Sequence, residues 1–263
     1  MLTQRPAAQE TGDHPAMPAL IGLLAYASAD VVHHVLGHAG ACLALGGRLS
    51  SLTSIHVTCT VTGTAVDLAG PLANLLAGVV AAVAARAYRQ ASSPARLFLA
   101  LAAAFNLFWF ALQLVFSAAS RTDDWAWFLR SEPDVVRYVL VGVGAASYLL
   151  AMRVLVTELA GFAIPPTRAW RIALAAWIAG GFLACATAAF DPHPAAALVQ
   201  HAAPQSLLLS LGLLFAPARA ARAARAGPSA PQAGAIGFSA AWAAAAMLVA
   251  AGSIALLGPG IPF

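Results

Sequence analysis

Long apolar runs alternate with short polar stretches along most of this chain, and the apolar runs are each long enough for one membrane crossing of ~20 residues. The first runs from about Pro18 to Gly46, which is long for a single span, and Gly46-Gly47 ends it. The stretch from Arg48 to Gly63 has a different pattern. It is rich in Thr, Val and Ser and roughly alternating, which predicts an extended strand or hairpin. Such a segment must lie in the interface or against the protein, because a strand edge facing lipid leaves its backbone unsatisfied. Six further apolar runs follow: about Ala65 to Ala85, Ala95 to Ala118, Asp134 to Leu159, Ile172 to Phe190, Ala196 to Ala216 and Ile236 to Leu257. The first seventeen residues carry Arg5, Glu10 and Asp13 and read as a short disordered tail rather than a cleaved signal peptide.

Composition agrees with that pattern. Of 263 residues, 61% are hydrophobic and 9% charged, with a mean hydropathy of +0.80. A soluble domain carries about 25% charged residues. Ala and Leu outnumber Val and Ile, and no ten-residue alternating strands recur, so the spans are helices and not barrel strands. The expected fold class is an all-α polytopic membrane protein of about seven transmembrane helices, with a short β-like segment after the first.

All fourteen basic residues are arginine. They collect in the loops after the second, fourth and sixth spans, including Arg86, Arg89 and Arg96, then Arg168 and Arg171, then Arg219, Arg222 and Arg225. The positive-inside rule therefore predicts a cytoplasmic N-terminus and a C-terminus outside. The net charge of +4 speaks to topology and not to nucleic acid; the partner it implies is the lipid bilayer. Cys42, Cys59 and Cys185 are scattered and odd in number, which argues against a disulfide framework or a cysteine zinc site.

The chemistry sits in one place. Asp30, His33, His34 and His38 lie inside the first apolar run, where polar side chains are costly without partners. His34 and His38 are four residues apart, so an α-helix stacks them on one face at the spacing with which two imidazoles grip a metal ion. On an α-helix His33 points about 100° away from His34, which leaves it as a supporting residue or an alternative ligand. The predicted topology puts His34 and His38 toward the outer end of the first span. Asp123 and Asp124 lie just past the outer end of the third, so the polar groups converge on one side of the membrane. Asp30, one turn before His34, is placed to support a ligand imidazole or to serve as a ligand itself. His56 lies in the β-like stretch, as an exposed strand histidine or as a supporting residue or alternative ligand of the cluster. Asn74 and Asn106 face apolar surroundings, where a hydrogen bond between helices suffices to explain them. Gln113, Glu158 and His201 are isolated polar residues in or near spans, and Arg153 is the expected partner of Glu158.

His34-Val35-Leu36-Gly37-His38-Ala39 resembles the His-Glu-Leu-Gly-His-Ala signature of the site-2 protease family of intramembrane zinc metallopeptidases (the M50 type). Leu68-Ala69-Gly70-Pro71-Leu72-Ala73-Asn74 resembles that family's Gly-Pro-x-x-Asn helix start, and Pro71 then reads as a first-turn proline. Asn106 followed by Asp123-Asp124-Trp125 loosely matches the downstream Asn span and aspartate. The resemblance covers about half the chain. It divides the protein into the tail 1–17, a metallopeptidase-like core over 18–132, and additional transmembrane helices over 133–263. It implies zinc held by His34, His38 and Asp124, with Asp123 as the alternative third ligand. It also implies a transmembrane peptide or membrane protein as substrate.

One departure bears on activity. The family's glutamate, which shuttles the proton, falls on Val35. Losing a general base costs typically 10²–10⁴-fold, so the resemblance implies impaired or absent peptidase activity. The alternatives are an active metallopeptidase that uses another base, and a non-enzymatic metal-binding or transport protein.

Overall fold

The computed structural model describes residues 12–88, 94–163, 165–226 and 234–263. Most of the expected tail (1–11), Arg89 and the linker 227–233 lie outside them. Among the described residues seven helices are long and apolar enough to cross a membrane: Met17–Ala44, Thr64–Ala87, Pro94–Ser120, Asp134–Ala160, Pro166–Ala188, Pro194–Ala226 and Ala240–Leu257. These are the first to seventh spans. The protein is an integral, multi-pass, all-α membrane protein, as its apolar runs predict.

The third span is the centre of the bundle. It packs against the first, second and fourth spans, and the first span packs in turn against the fifth and seventh. Burial follows this order. In the most apolar stretch of the third span 72% of residues are buried within the protein, against 6% in the seventh. Leu97, Leu101, Phe108 and Leu114 line the buried faces of the third span. The seventh turns Met247 and Leu248 outward, as a helix at the lipid boundary does.

The β-like stretch is a hairpin of β1 (Leu49–Leu52) and β2 (Val57–Cys59), antiparallel, with a bulge between Leu49 and Ser51. A third strand, β3 (Ile261–Pro262), pairs with the other edge of β1 and gives the order β2-β1-β3. The C-terminus thus covers a strand edge that would otherwise be open, and Pro262 is tolerated because β3 is itself an edge.

Three expectations are revised. Cys42 and Cys59 form a disulfide, with Cα atoms 6.0 Å apart, which ties the end of the first span to β2; an odd cysteine count hid this pair because Cys185 is the one left free. Pro71 does not start a helix. The second span begins at Thr64, so Pro71 lies inside it and leaves the helix one backbone donor short. The described end of the tail is fastened. Asp13 makes paired 2.8 Å contacts with Arg168 and accepts the Ile236 backbone N–H, while the His14 N–H bonds Ile236 O.

Candidate metal centre

The first span is not a uniform α-helix. Val32–Ala39 is wound as a π-helix, with hydrogen bonds from residue i to i+5, between α-helical turns on either side. In an α-helix residues five apart are about 140° out of line. In this wider winding they stack. His33 and His38 therefore share a face, and their Nε2 atoms lie 3.1 Å apart.

Asp124 completes the group. Its Oδ2 is 3.0 Å from His33 Nε2 and its Oδ1 3.4 Å from His38 Nε2. It sits in the turn after the third span, between Ser120 and the short helix Ala126–Leu129. Arg121 and Asp123 there both have left-handed backbone, φ 59° and 68°. Such conformations are uncommon for non-glycine residues. They wind the turn back over the end of the third span and aim Asp124 at the histidines. Gln113, one of the isolated polar residues of the sequence, donates from Nε2 to Asp124 Oδ2 at 2.6 Å and fixes the carboxylate.

The hydrogen bonds settle which ring nitrogens carry protons. Asn74 Nδ2 donates to Ala29 O at 3.1 Å and to Asn106 Oδ1 at 2.8 Å, so its Oδ1 is the atom facing His33 Nδ1, at 2.6 Å. Asn106 is oriented in turn by donating to Ala102 O. His33 must then donate from Nδ1, and its Nε2 is a bare lone pair. His38 Nδ1 meets the Val66 carbonyl at 2.8 Å, with the same consequence. With both rings neutral, two lone pairs and a carboxylate converge with no proton donor among them. One proton could bridge one of these contacts; a single metal ion satisfies all three.

The separations fit such an ion. Tetrahedral zinc with bonds of 2.0–2.1 Å spaces its ligand atoms ~3.3 Å apart. The two ring nitrogens lie 3.1 Å apart, and Asp124 meets them with different oxygens, Oδ2 at 3.0 Å from His33 and Oδ1 at 3.4 Å from His38; one ligand atom from each residue lies within 4.8 Å of the other two. Two histidines and a carboxylate are a known catalytic zinc set, and an oriented second ring nitrogen is its usual companion. The carboxylates outside the spans carry the imprint of the cluster. Burial alone would raise Asp124; protons on the His33 and His38 imidazoles, whose place a bound cation would take, outweigh it and hold the carboxyl below the usual range. Desolvation, with the Asp124 charge next in size, pushes Asp123 up to about 7.

Close helix contact makes room for this arrangement. Gly37 on the first span meets Gly70 on the second so tightly that a Cβ on Gly37 would lie 2.5 Å from Gly70 Cα. A Cβ on Gly70 would lie 2.4 Å from His38 Nε2 and 2.9 Å from His33 Cε1. Trp109 of the third span stacks on His33, ring centroids 4.8 Å apart.

The metal group thus differs from the expected set in one member: His33 stands where His34 was expected, beside His38 and Asp124. His34 turns instead toward Asp30, its Nδ1 3.2 Å from Oδ1 and 3.3 Å from the backbone oxygen. Asp30 thus lies beside an imidazole outside the metal group, meeting it through its backbone oxygen, while its buried Oδ1 makes no hydrogen bond. A cavity of about 280 Å³ adjoins the cluster. His34, His56, Asp67 and Asp123 line it, and so do His201 and Gln205 of the sixth span, two residues that no motif singled out. Glu158, expected beside Arg153, is buried and faces Arg86 and Arg96 at 3.9 and 3.8 Å.

No family model matches the chain, and neither a curated protein nor a solved structure is similar enough to count as a match.

Proposed function

We propose that this protein is a membrane-embedded zinc metallopeptidase of the site-2 protease type, with His33, His38 and Asp124 as metal ligands and His34 as the proton-transfer residue. The observation that carries the reading is the π-helical turn. It amounts to one extra residue between the ligand histidines. With His33 as the first ligand, the residue immediately after it, where the family has its glutamate, is His34 and not Val35.

A divalent ion in this site supplies Lewis-acid polarisation of a scissile carbonyl and acidifies water. The chain's own part is proton handling and positioning. Both atoms that Asp30 offers to His34 Nδ1 are acceptors, so His34 carries its proton on Nδ1 and leaves Nε2 to accept one. His34 lies in the cavity wall, and Asp30 holds its ring in one orientation. His34 takes a proton from the attacking water and returns it to the leaving amine. Group transfer of this kind contributes typically 10²–10⁴-fold.

The Cys42–Cys59 disulfide supports placing the site at the non-cytoplasmic face, since such bonds persist in oxidising compartments. The arginine-rich loops at the other end agree with a cytoplasmic N-terminus.

The test is cleavage of a membrane-spanning peptide by the purified full-length protein, with metal content measured on the same samples. His34→Gln should retain about one zinc per chain and lose cleavage by at least 10²-fold. His34→Gln that cleaves as fast as the wild type removes His34 from the mechanism. A second reading has its own observation: five histidines and three aspartates line one cavity, a set suited to metal storage. Binding of several ions per chain without any cleavage would favour it.

A further inference from the structure

A lipid-facing groove of about 500 Å³ runs between the fourth and sixth spans, toward the end of the bundle away from the metal group. Leu149, Met152 and Val156 give it an apolar floor, and Arg153 and Arg219 stand in it from the two facing helices. Both arginines are exposed, and among the described residues neither has an acidic partner. Glu158, five residues beyond Arg153, is buried and faces Arg86 and Arg96. Arg222 follows Arg219 at i+3, a like-charge spacing that is unfavourable on a bare helix.

Arg153 lies seven residues, about 10 Å, inside the end of the fourth span. A guanidinium at that depth is costly unless it reaches polar groups. A single arginine manages this by extending to the interface. Two arginines on opposite banks of one apolar groove match a phosphodiester with an acyl chain beneath it. Guanidinium–phosphate pairing is charge-assisted and often bidentate, and basic pockets between helices at the cytoplasmic end are where anionic headgroups bind.

We infer that Arg153 and Arg219 form a binding site for an anionic phospholipid, with the phosphate between the guanidiniums and an acyl chain along Leu149, Met152 and Val156. The inference is independent of the metal centre and its chemistry.

Purified full-length protein in neutral detergent is titrated with fluorescent-tailed phosphatidylglycerol and with phosphatidylcholine of the same tails. Phosphatidylglycerol should bind about 25-fold more tightly, the combined pull of two arginines at roughly fivefold each. The double variant R153Q/R219Q should lose that preference and keep its phosphatidylcholine affinity. Arg130→Gln, at the opposite end of the bundle, should leave both unchanged. Raising salt from about 0.05 to about 0.5 M should collapse the preference in the wild type, which tests the site without any variant. Equal binding of the two lipids overturns the inference, as does a preference that survives the double substitution or high salt. Displacement of phosphatidylglycerol by inorganic phosphate would also overturn it, by showing a free-anion site with no use for the acyl chain.

Discussion

His33 Nε2 and His38 Nε2 lie 3.1 Å apart across five residues of one helix, a contact that α-helical winding forbids. This pair and Asp124 form a group that could hold a metal ion, and His34 is outside it. His33→Ala, His38→Ala and Asp124→Ala should each bring bound metal from about one ion per chain to near zero, measured by elemental analysis of purified protein. His34→Ala should keep the ion. Metal lost from His34→Ala and retained by His33→Ala would restore the set expected from α-helical spacing and end the present assignment.

Much of the fold was legible in the residues themselves. Apolar runs of the right length located seven spans, and the Thr- and Val-rich stretch located the hairpin. His38 and Asp124 were legible as members of the group that could hold a metal, because chemistry and topology both pointed to them. His33 was legible only as a supporting or alternative ligand, since nothing in Val35-Leu36-Gly37 announces a π turn, and the α period is the default. His201 and Gln205 were invisible for another reason: tertiary packing alone brings the sixth span to the cavity. The Asn74–Asn106 contact was read as helix-to-helix bonding, which it is, but its oxygen also fixes a ligand tautomer.

Asn74→Leu should weaken metal binding by about 10–100-fold, the usual consequence of losing the partner of a ligand imidazole. His33 would no longer be held with its proton on Nδ1. Asn106→Leu, one bond further out, should have a smaller effect in the same direction. Competition against a chelator of known affinity measures both. Wild-type affinity in Asn74→Leu would mean that the amide serves helix packing alone.

Gly70→Ala places a methyl group 2.4 Å from His38 Nε2. Gly37 on the facing helix leaves the second span no room to retreat. The variant should lose about 1–3 kcal/mol of stability from overpacking, and its metal as well. Gly142→Ala is the control. Its Cβ meets nothing within 4 Å, so a helical alanine there should be neutral or stabilising by up to ~1 kcal/mol. Thermal unfolding in detergent, run beside metal analysis, separates the two cases.

The Cys42–Cys59 bond closes a loop across a sequence separation of 17, and it holds the cavity-lining hairpin against the end of the first span. Closure of a loop of that length contributes about 3 kcal/mol in the chain-entropy picture. Cys42→Ser should therefore lower the melting temperature by several degrees. Alkylation followed by mass measurement should label one thiol, Cys185, in unfolded but unreduced protein, and three after reduction. Three labelled thiols before reduction would show that the bond does not form.

Deleting Leu36 tests the π turn itself. Its side chain is 65% exposed and is absent from the cavity wall, so its removal takes little packing with it. The deletion leaves His33 and the present His38 four residues apart, the spacing that stacks two side chains in an ordinary α-helix. Residues before His33 and after His38 keep their places if the segment relaxes from i+5 to i+4 bonding. The shortened protein should thus bind metal at the wild-type stoichiometry, with His34 still directly after the first ligand. Deleting Leu24, in the α-helical part of the same span, offers no such relaxation. It rotates the two halves of the span by about 100° against each other and should abolish both folding and metal binding. A Leu36 deletion that behaves like the Leu24 deletion would mean that the wide turn is not an extra residue in an otherwise α-helical ligand pair, and the placement of His34 as the proton-transfer residue would fall with it.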